Sequence, residues 1–79
     1  MNQGLHSKPQ AVLASPLPGK VIKIFAQNGE PVQEGQRVFI IESMKMVHEL
    51  RVPKPGKLKG IQVKVGDIVV ADHQLATVE

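Results

Sequence analysis

Pro16-Leu17-Pro18-Gly19-Lys20-Val21-Ile22-Lys23-Ile24 returns 37 residues later as Pro53-Lys54-Pro55-Gly56-Lys57-Leu58-Lys59-Gly60-Ile61, and this repetition decides the fold. Carried on without a gap, the same offset sets Gly29 against Gly66, Val32 against Val69 and Glu42 against Glu79, giving eight identities in 27 positions. Conservative pairs keep the apolar positions in step: Val21 with Leu58, Val38 with Leu75, Ile41 with Val78. Turn-rich chains can repeat Pro and Gly by accident, but accident does not hold apolar register. The chain therefore reads as two equivalent halves, each a strand, a glycine-marked turn region and a second strand, packed about a pseudo-twofold axis. Neither half could bury an apolar face alone, so the two fold as one unit.

Outward from the repeat, turn signals recur at short intervals, among them Asn28-Gly29, Pro31, Gly35, Gly60, Gly66-Asp67 and Ala71-Asp72. Between them lie β-branched runs: Val21 to Phe25, Val38 to Ile41, Ile61 to Val65. Short strands at this spacing indicate an all-β sandwich or barrel. The longest stretch without Gly or Pro, Gln36 to Val52, is dense in Val and Ile and reads as strand, turn, strand. The expected core is Val21, Ile24, Val38, Ile41, Leu58, Ile61, Leu75 and Val78. Residues 1–10 are polar apart from Leu5 and read as a flexible tail or linker remnant, leaving 11–79 as the domain.

The composition removes several function classes. A chain of 79 residues supports one core, and 42% hydrophobic residues can fill it. Cysteine is absent, which excludes a disulfide framework and thiolate metal sites. No apolar run approaches the roughly 18 residues of a membrane span, and the start has no signal-peptide core, so a cytosolic chain or a piece of a larger soluble protein is expected. Ten Lys and Arg against seven Asp and Glu give a net charge of +3. That surplus is mild, and nucleic-acid binding would want exposed aromatics; Phe25 and Phe39 both sit in apolar runs and read as core. Lys54, Lys57, Lys59 and Lys64 form the densest basic stretch and read as the solvated side of a strand, with Lys20 and Lys57 as turn charges. His6, His48 and His73 are too scattered for a metal site, and Ser43 with Lys45 lacks the Ser-x-x-Lys spacing of a nucleophile with its base.

What the two halves do not share lies between them, in Ser43-Met44-Lys45-Met46. If Val38 to Glu42 and Val47 to Val52 pair as a hairpin, its tip falls at Met44-Lys45, where tight turns prefer Asn-Gly or another glycine-containing pair. Two methionines at an exposed tip also run against the usual burial of large apolar groups. Such a conflict between local chemistry and required geometry marks a functional position.

Glu42-Ser43-Met44-Lys45-Met46, preceded by Gly35-Gln36 and followed by Pro53-Lys54-Pro55-Gly56, resembles the attachment motif of biotinyl domains, the biotin carboxyl carrier family. The likeness runs from about Leu13 to Glu79. It implies a flattened all-β barrel or sandwich of two four-stranded antiparallel sheets, with the attachment lysine on a hairpin tip. It implies further that Lys45 carries covalent biotin, with Glu42, Ser43, Met44 and Met46 as recognition residues. Ser43 stands where many members have Ala. Lipoyl domains share the fold but have Asp before the lysine and a small residue after it, so methionine on both sides argues for biotin.

The resemblance implies a carrier with no catalytic group of its own. A free lysine amine, with a pKa near 10.4, is neutral in only about one molecule in two thousand at pH 7. Nothing near Lys45 in sequence could serve as its base, so acylation falls to a separate biotin protein ligase. The domain would then carry CO2 as carboxybiotin between biotin carboxylase and carboxyltransferase sites, in the cytoplasm or, in a eukaryotic carboxylase, the mitochondrial matrix. No nucleic acid and no membrane partner is expected. Two other readings stand beside it: a lipoyl carrier of the same fold, and a β-barrel nucleic-acid-binding module, which would need the aromatic platform this chain lacks. The ungapped halves leave no room for the protruding thumb of some bacterial acetyl-CoA carboxylase carriers. A thumbless domain like those of pyruvate and propionyl-CoA carboxylases is expected.

Overall fold

The computed structural model describes residues 10–79, so the reading of a flexible tail, and His6 within it, lies outside the described residues apart from Gln10. Eight strands follow in order: β1 (Ala11–Ala14), β2 (Gly19–Ile24), β3 (Pro31–Val32), β4 (Arg37–Ser43), β5 (Met46–Arg51), β6 (Gly56–Lys59), β7 (Ile68–Val69) and β8 (Gln74–Val78). They form two four-stranded antiparallel sheets, β1-β8-β6-β3 and β5-β4-β2-β7. Each sheet draws two strands from each half, so neither half exists as a sheet by itself.

The 37-residue offset is written into the backbone hydrogen bonds. Val21 N–H donates to the Asp67 carbonyl at 2.9 Å, and Leu58 N–H to the Glu30 carbonyl at 3.0 Å. Gly35 N–H donates to Val52 and Asp72 N–H to Ser15, both at 2.7 Å. Every one of these pairs maps onto its counterpart by adding or subtracting 37, as a twofold-related pair of halves demands. Val21, Val38, Ile41, Leu58, Leu75 and Val78 are fully buried in one cluster spanning both sheets, with Ile24 and Ile61 half-buried at its margin. Among the described residues the buried polar side chains are Ser15 and Thr77, and both are satisfied: the Ser15 hydroxyl donates to the Leu17 carbonyl at 2.6 Å, and that of Thr77 to the Lys59 carbonyl at 3.3 Å.

Two expectations need correction. Phe39 is buried, but Phe25 is 41% exposed on the outer face of its sheet. A bulge between Val21 and Lys23 inserts one residue into β2, which reverses the in–out alternation beyond it: Ile24 turns inward and Phe25 outward. The run Ile61 to Val65 is not a strand, because Gly60 adopts φ 63° and ends β6 at Lys59. The freed Ile61 N–H donates instead to the Asn28 side-chain carbonyl at 2.8 Å, tying the two halves together, and the Gln62 N–H still reaches Leu75. Between Ile24 and Arg37 there are only turns and the two-residue β3, with no projecting hairpin.

On the outer face of β4 and β5, Glu49 accepts from Arg37 at 2.8 Å and from Arg51 at 2.6 Å. These hydrogen bonds, Arg37 first, hold its carboxyl below the usual carboxylate range. A depressed folded-state value contributes stability above the unfolded pKa, which is lost as pH falls through the folded one. The contribution is small at so exposed a site. Carboxyl-detected NMR titration is expected to give Glu49 a midpoint below the ordinary glutamate value, moving upward in Arg37→Gln; a midpoint unmoved by that change would show that the guanidinium does not set it.

Candidate functional site

The β4–β5 hairpin pairs Glu42 with Val47 and Ser43 with Met46, leaving Met44 and Lys45 as a two-residue loop. Their φ angles are 52° and 66°, both left-handed, as a type I′ turn requires. Neither residue suits that conformation, which costs an L-residue without a helpful side chain roughly 1–2 kcal/mol. The turn persists because the paired strands on either side over-determine it. Met44 is 91% exposed, so its side chain contributes no packing that offsets the strain. Met44→Asn is accordingly expected to stabilise the domain by about 0.5–1 kcal/mol, seen as a higher urea midpoint at unchanged slope. A lower midpoint would mean that the methionine supports the fold after all.

All five residues singled out in the sequence meet at this hairpin end. Lys45 is exposed at its apex, flanked by Met44 and by Met46, which is 64% exposed. Its ammonium group makes no hydrogen bond or ion pair among the described residues. Glu42 lies on the outer face of β4, three residues away, without bonding to it; Ser43 is half-buried at the last rung before the turn. No general base approaches the amine, so the arrangement can present an acyl acceptor to an external catalyst and cannot activate it. Among the described residues no group of His, Cys, Asp and Glu could hold a metal, and no helix is long and apolar enough to cross a membrane.

Sequence reading missed the apolar surroundings of the tip. Ile68, Lys20, Glu42 and Val47 form one outward-facing rung across all four strands of the sheet, next to the turn. Ile68, Val47 and Val70 are exposed, and Leu17 is half-exposed in the turn before β2. At the twofold-related end the same places hold Pro31, Gln10, Gln33 and Lys54. The core treats the two ends alike, so the apolar character at the hairpin end is not demanded by folding. The repeat itself carried this signal, in the positions where the halves differ.

Comparison with known proteins shows the family of the chain. Residues 11–78 match the family described as biotin-requiring enzyme. The chain is 38% identical over 63 residues to the alpha subunit of mitochondrial methylcrotonoyl-CoA carboxylase of Glycine max, covering 80% of this chain and 9% of that one. It is 40% identical over 57 residues to the biotin carboxyl carrier protein of acetyl-CoA carboxylase of Solanum lycopersicum, covering 72% of this chain and 81% of that protein. Among solved structures, the urea carboxylase of Kluyveromyces lactis superposes with a TM-score of 0.83 at 30% identity, over 100% of this chain and 7% of that one. The chain thus spans a tenth or less of the large carboxylase chains it matches and most of the Solanum lycopersicum carrier protein. It belongs to the family of biotin-requiring enzymes, within which it is a biotin carboxyl carrier domain.

Proposed function

We propose that Lys45 carries biotin in amide linkage, that a separate biotin protein ligase attaches it, and that the domain moves a carboxyl group between the biotin carboxylase and carboxyltransferase sites of its parent enzyme. The observation that carries this reading is a solvent-exposed, unpartnered lysine at the apex of a strained two-residue turn, between two exposed methionines. Biotin, when bound, supplies a ureido nitrogen that can accept and release a carboxyl group. The residues of this chain fit that group in three ways. The amine is sterically open to an activated acyl donor. The turn fixes the root of the arm, because two paired strands hold both φ angles. The apolar residues around the tip give partner active sites a surface to close on and exclude water. Tethering then supplies a high local concentration of the carried group.

Several carboxylases have relatives of this domain, and the methylcrotonoyl- and propionyl-CoA enzymes among them are mitochondrial. The missing thumb favours parents of that multi-domain kind. Which acid is attached is decided by the added mass. Protein produced with a biotin ligase and a lipoate ligase present together is expected to gain about 226 Da, the biotinyl increment, and not about 188 Da, the lipoyl one. A clean lipoyl increment would establish the alternative carrier.

A further inference from the structure

The outer face of the β5-β4-β2-β7 sheet carries a second unrepeated cluster, well away from the tip. The Arg37 guanidinium lies 4.5 Å from the centre of the Phe25 ring, and the Lys23 ammonium 6.0 Å from it. Glu49 bridges Arg37 to Arg51, and Arg51 also donates to the Gly35 carbonyl at 2.8 Å. Three cations against one carboxylate leave two positive charges in excess, around an exposed aromatic ring. At the twofold-related places stand Gly60, Gln62, Gln74, Val12 and Ala14, in the order of Lys23, Phe25, Arg37, Glu49 and Arg51. The other sheet folds with none of these groups, so the fold does not require them.

We propose that this cluster is a second interaction surface, distinct from the biotin tip, and that its partner is an acidic protein surface presenting carboxylates to Arg37 and Arg51 and an apolar group to Phe25. Each guanidinium has five N–H donors, of which Arg37 spends one on Glu49 and Arg51 two on Glu49 and Gly35, so both keep donors for a carboxylate fork. Glu49 fixes the pair in place, reducing the side-chain entropy lost on binding. Arg51 lies five residues along β5 from Met46, about 17 Å at roughly 3.4 Å per residue, so a partner engaged here leaves the tip free. One exposed aromatic ring is too little for stacking successive bases, which favours protein over nucleic acid. A surface of this kind would hold the carrier beside a neighbouring component between visits of the tip to active sites. It does not depend on which acid Lys45 bears.

The test uses the whole chain, nitrogen-15 labelled, titrated with octaglutamate at about 20 mM salt to limit screening. Shifts are expected at Phe25, Arg37 and Arg51, including the arginine side chains, and not at Lys57, Lys59 or Lys64. Simple attraction to the densest lysine stretch would give the reverse, and that result overturns the proposal. The variants borrow the other half's residues, which the same backbone already accepts: Arg37→Gln, Arg51→Ala and, separately, Phe25→Gln. The double arginine variant should weaken octaglutamate binding about tenfold, and Lys57→Gln with Lys59→Gln should leave it unchanged. Equal loss in both pairs, or tighter binding of a thymidine dodecanucleotide than of octaglutamate, contradicts an acidic-protein site. Biotinylation of Lys45 serves as the independent control; its loss in the arginine variants would point to misfolding or to the tip, and melting temperatures separate these.

Discussion

Gly19→Ala and Gly56→Ala are each expected to destabilise the domain by about 3 kcal/mol, at the upper end of the usual cost of overpacking, because neither position has room for a methyl group. A Cβ on Gly19 would lie 2.5 Å from the Glu42 carbonyl oxygen and 2.7 Å from the Ile41 side chain. On Gly56 it would lie 2.4 Å from the Glu79 carbonyl oxygen and 2.9 Å from Val78. The obstacles are twofold-related backbone atoms and fully buried core side chains, so relief requires moving a strand. The two sites share no neighbour, and their costs should add. At roughly 0.05–0.15 kcal/mol per residue the double variant would lose most or all of the domain's stability. Gly29→Ala is the control: it has φ 85° but open space around it, so only backbone strain of about 1 kcal/mol is expected. Urea unfolding of the three variants checks the ranking. A mild Gly19→Ala would mean that the close crossing of β2 and β4 is looser than described.

Lys45→Arg is expected to abolish biotin attachment while leaving the fold and its stability unchanged within about 1 kcal/mol. The guanidinium keeps the positive charge but has no nucleophilic amine at physiological pH, so ligase has nothing to acylate. Lys45 is exposed and bonded to nothing among the described residues, so its loss costs no contact. The expected readout is complete loss of streptavidin-detectable biotin with an unshifted melting curve. Residual labelling at the wild-type level would show that another lysine receives the cofactor.

How much of this was legible in the sequence follows from which interactions are local. The offset between Pro16 and Pro53 displayed the twofold, since equivalent halves need equivalent turn residues, and the Gly19 and Gly56 crossings explain why those two matches are identities. The hairpin of Gln36 to Val52 was legible from its β-branched density, and its tip from a turn sequence that contradicts turn preferences. The orientation of Phe25 was not, because a one-residue bulge at Val21 to Lys23 flips the alternation and leaves no mark in composition. The end of β6 was similarly hidden: Gly60 reads as an ordinary turn signal, while the Asn28 side chain that captures the Ile61 N–H lies 33 residues away. The Arg37–Glu49–Arg51 cluster depends on the register of β4 against β5, which no local pattern reveals.

The central claim, that Lys45 alone is the attachment site, is tested most directly by peptide mapping of the ligase-treated chain with tandem mass spectrometry. Chain-wide, the acyl group should appear on the single peptide containing Met44-Lys45-Met46, in stoichiometric amount, with Lys20 and Lys57 unmodified although they stand at twofold-related positions after Pro-Gly. Stoichiometric biotin on Lys20, Lys57 or any lysine other than Lys45 would contradict the account.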